Sequence, residues 1–162
     1  GNNPHEELTS EQSAQIIISH VHKGIEIARR HKLPEVIIDF IKTHHGTTRV
    51  DYFYNEFLRN NPDKLIDESL FVYPGPIPYS KETAVLMMAD SVEAAARSLK
   101  QPTKESISNL VDKIIDHKIT LKQFDQADIT LKDISDVGLI FKNMLMSIYH
   151  VRIDYDLFKK KD

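Results

Sequence analysis

Residues 35–48 read EVIIDFIKTHHGTT, a short amphipathic helix with an unusual ending. The apolar positions predict a helix from Glu35 to about His44, and Gly46 is where its C-terminus would break through a left-handed residue. Neighbours in a regular helix point about 100° apart, but an open last turn lets His44 and His45 face one cavity. Neutral imidazole is the commonest metal ligand, so this helix end is a candidate metal site. The alternative is a solvated helix end with two chance histidines.

The composition is that of one ordinary soluble domain. The chain has 162 residues, of which 41% are hydrophobic and 28% are charged. Its net charge of −3 gives no attraction to nucleic acid or to an anionic membrane surface. No stretch approaches the roughly 18 apolar residues that span a bilayer. Because the chain has no cysteine, disulfides, thiolate catalysis and thiolate metal sites are excluded.

Helical patterns continue on both sides of residues 35–48. Thr9 and Gln12 form a capping box that predicts a first helix ending near Arg30. Similar caps and apolar spacings predict further helices at about 50–60, 80–100, 103–118 and from 130 onward. The predicted fold class is therefore an all-α bundle of about six helices.

A proline-rich loop, residues 62–79, separates the third and fourth predicted helices. It contains four prolines, which remove backbone donors and block helix formation. Loops of this length in a compact domain often serve as a lid or wall of a site. The apolar run LFVY at 70–73 predicts that the loop packs against the domain.

Two further side chains could complete a metal site. His20 borders the apolar stripe of the first helix, and Asp90 lies within residues 84–96, which look apolar on every face. A carboxylate buried there costs several kcal/mol unless it is paired or binds a metal. The alternatives are a satisfied core histidine and a structural ion pair. Joined to His44 and His45, the two residues give a nitrogen and oxygen ligand set from three helices, which suits iron, manganese or zinc rather than calcium.

At these residues the chain resembles the HD superfamily of metal-dependent phosphohydrolases. The closest resemblance is to the HD domain of membrane-anchored seven-transmembrane HD proteins, which are cyclic di-AMP phosphodiesterases. The matching motifs are Asn3-Pro4-His5, His20-Val21, Lys32-Leu33-Pro34, His44-His45-Gly46-Thr47-Thr48, Tyr73-Pro74-Gly75-Pro76 and Ala89-Asp90-Ser91-Val92-Glu93-Ala94-Ala95. They follow the family's order over most of the chain.

The resemblance implies an HD-type bundle that hydrolyses cyclic di-AMP to pApA with two divalent transition metals, iron or manganese. His20, His44 and His45 would bind the second metal. Asp90 would close the first, and no catalytic residue is expected apart from the metal site. Apart from the resemblance, Thr47 and Thr48 could donate to a phosphate, Lys81 near a helix start could bind an anion, and Tyr73 could stack on a base. The alternatives are ordinary turn hydroxyls, a solvated lysine and a core aromatic residue.

The family's remaining ligands have no counterpart in this chain. They are an earlier histidine and the His-Asp doublet whose aspartate bridges both metals. We therefore expect residues 1–162 to be a partial HD domain without the upstream helices, and to be inactive by itself. The resemblance implies a membrane-anchored bacterial parent with this domain in the cytoplasm, while the chain itself inserts into no membrane.

Other functions stay open at this point. The parent could be an HD phosphohydrolase for another nucleotide, although the cyclic di-GMP branch carries Gly-Tyr-Pro where this chain has Gly46-Thr47-Thr48. The chain could also be a non-catalytic helical domain that senses nucleotides, which would explain the absent doublet. Metal analysis separates these readings, since a sensing domain needs no metal. A plain helical bundle with scattered histidines is the remaining alternative.

Overall fold

A computed structural model describes residues 8–150, and these form an all-α fold. The helices in this range are α1 (Ser10–Arg30), α2 (Glu35–Thr43), α3 (Asp51–Asn60), α4 (Lys81–Ala96), α5 (Lys104–Thr120) and α6 (Leu131–Ile148). The β-structure of the same range is one isolated bridge between Arg49 and Val72. None of these helices combines the length and apolarity needed to cross a bilayer. The predicted all-α class is confirmed, and the motif Asn3-Pro4-His5 lies outside the described residues.

Helix starts follow the local sequence closely. Four of these helices begin at a capping box, in which a Thr or Ser side chain and the side chain three residues later bond reciprocally to the backbone. The capping residues are Thr9, Ser80, Thr103 and Thr130. Helix α4 ends at Ala96, before the expected end near residue 100. There the Ser98 hydroxyl donates to the Ala95 carbonyl at 2.7 Å and competes with the helix backbone.

The larger part of the core joins α4, α5 and α6. It is centred on Met87, Met88, Val92, Ile107 and Val111, all of them buried. Helix α2 packs against both α1 and α4. The C-terminal end of α2, which carries the histidine pair, is therefore held between two other helices.

The loop at residues 62–79 packs against α1 and α3, as the sequence predicts. It contains a short 3₁₀ helix, Glu68–Phe71, and the Phe71 side chain is fully buried in a second core cluster with α1 and α3. The Val50 amide donates to the Phe71 carbonyl at 2.8 Å, and the Tyr73 amide donates to the Thr48 carbonyl at 2.9 Å. These bonds fasten the loop to the turn that follows α2.

Candidate metal centre

The structure brings His20, His44 and His45 together. One ring nitrogen from each residue lies within 4.8 Å of the other two. The Nε2 atoms of His20 and His44 are 3.0 Å apart. Helix α1 supplies the first of these residues, and the turn after α2 supplies the pair. The open last turn of α2 therefore lets both neighbouring imidazoles face α1.

Backbone carbonyls fix the orientation of two of the three rings. The Nδ1 atom of His20 lies 2.5 Å from the Ile17 carbonyl oxygen, and that of His44 lies 2.7 Å from the Ile41 carbonyl oxygen. A carbonyl only accepts hydrogen bonds, so each Nδ1 donates and each neutral ring presents an unprotonated Nε2. Two facing lone pairs repel unless a cation or proton lies between them. This arrangement fits a bound metal, because metal-ligating histidines commonly bond through the other nitrogen to a carbonyl.

His45 is kept neutral by its surroundings. Its ring stacks on the Tyr73 ring with centroids 4.2 Å apart and planes 24° apart. Burial, which is the largest cause, and the nearby His44, His20 and Lys118 together lower the pKa of His45 to about 3. Burial also lowers the pKa of His44. Metals bind the neutral imidazole, so both residues are in the ligating form at neutral pH.

Asp90 lies at the edge of this cluster. Its Oδ2 atom is 3.8 Å from Nδ1 of His45, which is too long for a hydrogen bond. Because burial lowers the pKa of His45, its ring is neutral at neutral pH and this contact is not an ion pair. The expectation that Asp90 is buried on all sides was wrong, because 41% of its side chain is exposed. The core-facing side of α4 is formed by Met87, Met88 and other residues, and position 90 lies beside that face.

The turn after α2 has little freedom. Gly46 has a φ of +53°, and a Cβ atom there would lie 2.2 Å from Oε1 of Gln123. Gln123 accepts from the Thr47 amide at 3.0 Å and donates to the Thr47 hydroxyl oxygen at 3.0 Å. The Thr48 hydroxyl donates to the His45 carbonyl at 2.7 Å. The turn is therefore held by hydrogen bonds on the C-terminal side of the histidine pair.

Gln123 is a functional candidate that the sequence did not reveal. It is buried in the turn after α5, and its amide also donates to the Leu121 carbonyl at 2.9 Å. It meets Thr47 across 76 positions of sequence, a separation at which no local pattern is informative. Lys118, half-buried on α5 near the histidines, was missed for the same reason.

Three of the four predicted substrate contacts lie beside the histidine cluster, and Lys81 does not. Tyr73 is buried against His45 and His20, and Thr47 and Thr48 follow the histidine pair. Lys81 lies nine residues before Asp90 on α4, which corresponds to about 13 Å along a helix. Its ammonium is 3.0 Å from the carboxylate of Asp133, at the start of α6. The structure therefore does not bring Lys81 to the histidines.

Comparison with known sequences gives clear relatives, although no protein-family model matches the chain. The cyclic-di-AMP phosphodiesterase PgpH of Listeria monocytogenes is 43% identical over 155 residues. PgpH of Bacillus subtilis is 40% identical over 159 residues. These matches cover 96% and 98% of the chain but only 21% and 22% of the relatives. The chain thus spans about a fifth of the length of the curated relatives that it matches.

Solved structures show the same similarity. The crystal structure of the L. monocytogenes phosphodiesterase PgpH HD domain in complex with cyclic-di-AMP superposes with a TM-score of 0.87 at 42% identity. The match covers 94% of this chain and 71% of the solved chain. A second structure of that HD domain gives a TM-score of 0.85 at 40% identity. The chain therefore belongs to the family of HD domains found in PgpH phosphodiesterases.

Proposed function

We propose that this chain is part of the catalytic domain of a metal-dependent phosphodiesterase that hydrolyses cyclic di-AMP to pApA. The observation that carries the proposal is the meeting of three imidazole nitrogens within 4.8 Å of one another. The names of the relatives, cyclic-di-AMP phosphodiesterase PgpH, support the choice of substrate. The activity is assigned to the intact parent protein.

We assign His20, His44, His45 and Asp90 as ligands of divalent iron or manganese. When bound, such a metal polarises a phosphoryl oxygen and lowers the pKa of a water molecule toward neutrality. The protein's own contribution is to hold the rings. The carbonyls of Ile17 and Ile41 orient His20 and His44, and Tyr73 covers one face of His45.

This ligand set is small for two metal ions. A pair of metal ions would stabilise both the attacking and the leaving oxygen of a phosphoryl transfer, and four side chains are few ligands for two ions. We propose that residues 1–162 form one part of the HD domain and that the parent supplies the other ligands. We also propose that this parent is anchored to the bacterial plasma membrane with the domain in the cytoplasm. Lys81 is left out of the substrate contacts because it pairs with Asp133.

Turnover by the intact HD domain of the parent tests the proposal. With Mn²⁺ we expect pApA to form from cyclic di-AMP, as followed by chromatography. His44→Ala and Asp90→Ala should each reduce kcat at least about a hundredfold, since loss of a ligand disrupts the metal site. The matched control is His22→Ala, which removes an exposed histidine from α1. Absence of turnover in the metal-loaded domain would overturn the assignment, as would full activity of His44→Ala.

A further inference from the structure

Helices α5 and α6 share an apolar groove on their exposed side. The groove has a volume of about 410 Å³ and is lined by residues of these two helices. Its floor contains Ile115 and Ile134, which are buried. A Cβ atom on Gly138 would lie 3.2 Å from Cδ1 of Ile115. The helices therefore approach each other closely at Gly138, and this residue adds no side chain to the groove.

Large apolar side chains at the edges of the groove are exposed to solvent. Leu131 and Leu139 of α6 are 78% and 59% exposed, and Ile119 of α5 is 40% exposed. All three line the same groove. Clustered exposed apolar residues are typical of an interaction surface. This side of α5 and α6 is therefore a candidate surface for a further apolar segment.

The rim of the groove is acidic, since Asp112, Asp116 and Asp136 all line it. The carboxylate of Asp112 lies 2.6 Å from the ammonium of Lys142. That of Asp136 pairs with Lys132. In the described part of the chain, Asp116 takes part in no ion pair. The groove therefore suits an occupant with apolar side chains next to a cation.

The segment VRIDYDLFKKKD, residues 151–162, has this chemistry and lies outside the described residues. Its apolar pair Leu157-Phe158 is followed directly by the three lysines 159–161. The segment follows His150, which has a φ of +53°, the left-handed conformation that commonly ends a helix. The chain therefore turns away from the axis of α6 at His150.

The segment is long enough to reach the groove. Leu139, in the groove, lies 11 residues before His150, which corresponds to about 17 Å along α6. The eight residues from 151 to 158 span up to about 26 Å when extended. Leu157 and Phe158 can therefore reach the groove while α6 stays intact.

We propose that residues 151–162 fold back along α6, so that Leu157 and Phe158 fill the groove and the lysines that follow lie beside Asp116. A second copy of the chain is a poorer occupant, because a symmetric dimer brings the same surface of both copies together and would oppose their acidic rims. The segment then covers apolar surface that α5 and α6 leave exposed. The inference is independent of the metal centre and of the proposed function.

Paramagnetic relaxation measured by NMR tests this placement. The chain has no cysteine, so Asp162→Cys gives a single attachment site for a nitroxide label and keeps all three lysines. We expect the methyl signals of Ile119 and Leu139 to lose most of their intensity relative to the chemically reduced label. Those of Leu58 should stay unchanged, because its helix α3 contacts neither α5 nor α6 within the described residues.

Variants in the segment and in the groove should remove this effect. In the labelled chain, Leu157→Ser combined with Phe158→Ser should restore the intensities at Ile119 and Leu139. Leu131→Ser should also restore them, and it changes an exposed position that the fold tolerates.

Charge reversal tests the acidic rim. Asp116→Lys should restore part of the lost intensity, because it places a cation beside the three lysines. The matched control is Asp63→Lys, which makes the same charge change at an exposed position after α3 and should leave the signal loss as it is.

Two results would overturn the placement. One is full intensity at Ile119 and Leu139 in the labelled chain. The other is signal loss in a mixture in which the nitroxide and the observed isotopes are on different chains, since this would show that a second copy occupies the groove. We expect no loss in that mixture.

Discussion

The His45 ring contacts Tyr73 and two other imidazoles. Its burial and the nearby His44, His20 and Lys118 lower its pKa. The adjacent His44 has an orienting carbonyl, whereas His45 has a stacked ring and a carboxylate 3.8 Å away. Two neighbouring residues of the same type are therefore held by different means. For a metal ligand the consequence is the same, because both remain neutral at neutral pH.

The pKa of His45 predicts how the stability of the metal-free chain depends on pH. It is about 3 in the folded chain and 6.5 for a free imidazole. As pH falls from 6.5 toward 3, the unfolded chain gains a proton that the folded chain excludes, so the free energy of unfolding decreases. His45 alone changes the free energy of unfolding by at most about 1.4 kcal/mol per pH unit. Urea denaturation at several pH values in chelator measures it.

The variant His45→Gln is the comparison for this slope. It has no titrating ring at position 45, so its stability should decrease less steeply than that of wild type as the pH is lowered. Wild type and variant with parallel pH profiles would show that His45 is not held neutral by burial.

At the scale of secondary structure, the close crossing of α1 and α2 sets the distance between His20 and His44. A Cβ atom on Gly24 would lie 2.9 Å from Cγ2 of Ile41. The Ile41 side chain of α2 therefore packs directly on the backbone of α1 at Gly24. Gly24 is one helical turn from His20, and Ile41 is three residues before His44. Any separation of the helices at this contact therefore moves the two Nε2 atoms apart.

Gly24→Ala tests this crossing. Alanine has a higher helix propensity than glycine, by about 1 kcal/mol, so the thermal transition should not drop much. We expect Mn²⁺ affinity to fall severalfold nonetheless, as measured by calorimetry. Ile41→Leu removes the Cγ2 atom at nearly constant volume, so the double variant should recover part of the affinity. Unchanged affinity in Gly24→Ala would mean that this contact does not determine the metal site.

Gln123, in the turn after α5, forms hydrogen bonds with Thr47, which lies two residues after His45. We expect these bonds to fix the position of the histidine pair. Gln123→Leu removes three hydrogen bonds and leaves the Thr47 amide without its acceptor. We expect about 1–3 kcal/mol of lost stability together with weaker metal binding. The matched control is Gln126→Leu, an exposed position in the same turn. Equal metal affinity in the two variants would argue against positioning by Gln123.

For the whole molecule, features encoded locally were predictable from the sequence. The capping boxes at Thr9 and Thr130 depend on residues three positions apart, and they mark the helix starts correctly. The exposure of Asp90 was not predictable, because it depends on the direction in which α4 faces its neighbours. The contact between Gln123 and Thr47 joins two distant segments, and only the folded chain shows it.

The same distinction between local sequence features and contacts of distant segments applies to the candidate site. The histidine pair was evident from its place before Gly46, and His20 was a candidate from its place beside the apolar stripe of the first helix. The sequence did not predict that Lys81 pairs with Asp133, because that contact joins the first turns of α4 and α6. Candidates marked by a local pattern were therefore predicted from the sequence, whereas Gln123 and Lys118, which approach the site only through packing of distant segments, were not.

The most direct test of the central claim is calorimetric titration of the chelator-treated chain with Mn²⁺. The three clustered histidines predict one binding site per chain, whose affinity falls at least about tenfold in His44→Ala and stays constant in His22→Ala. Equal binding by wild type and His44→Ala, or no binding of Mn²⁺ by wild type, would contradict a metal centre at these residues.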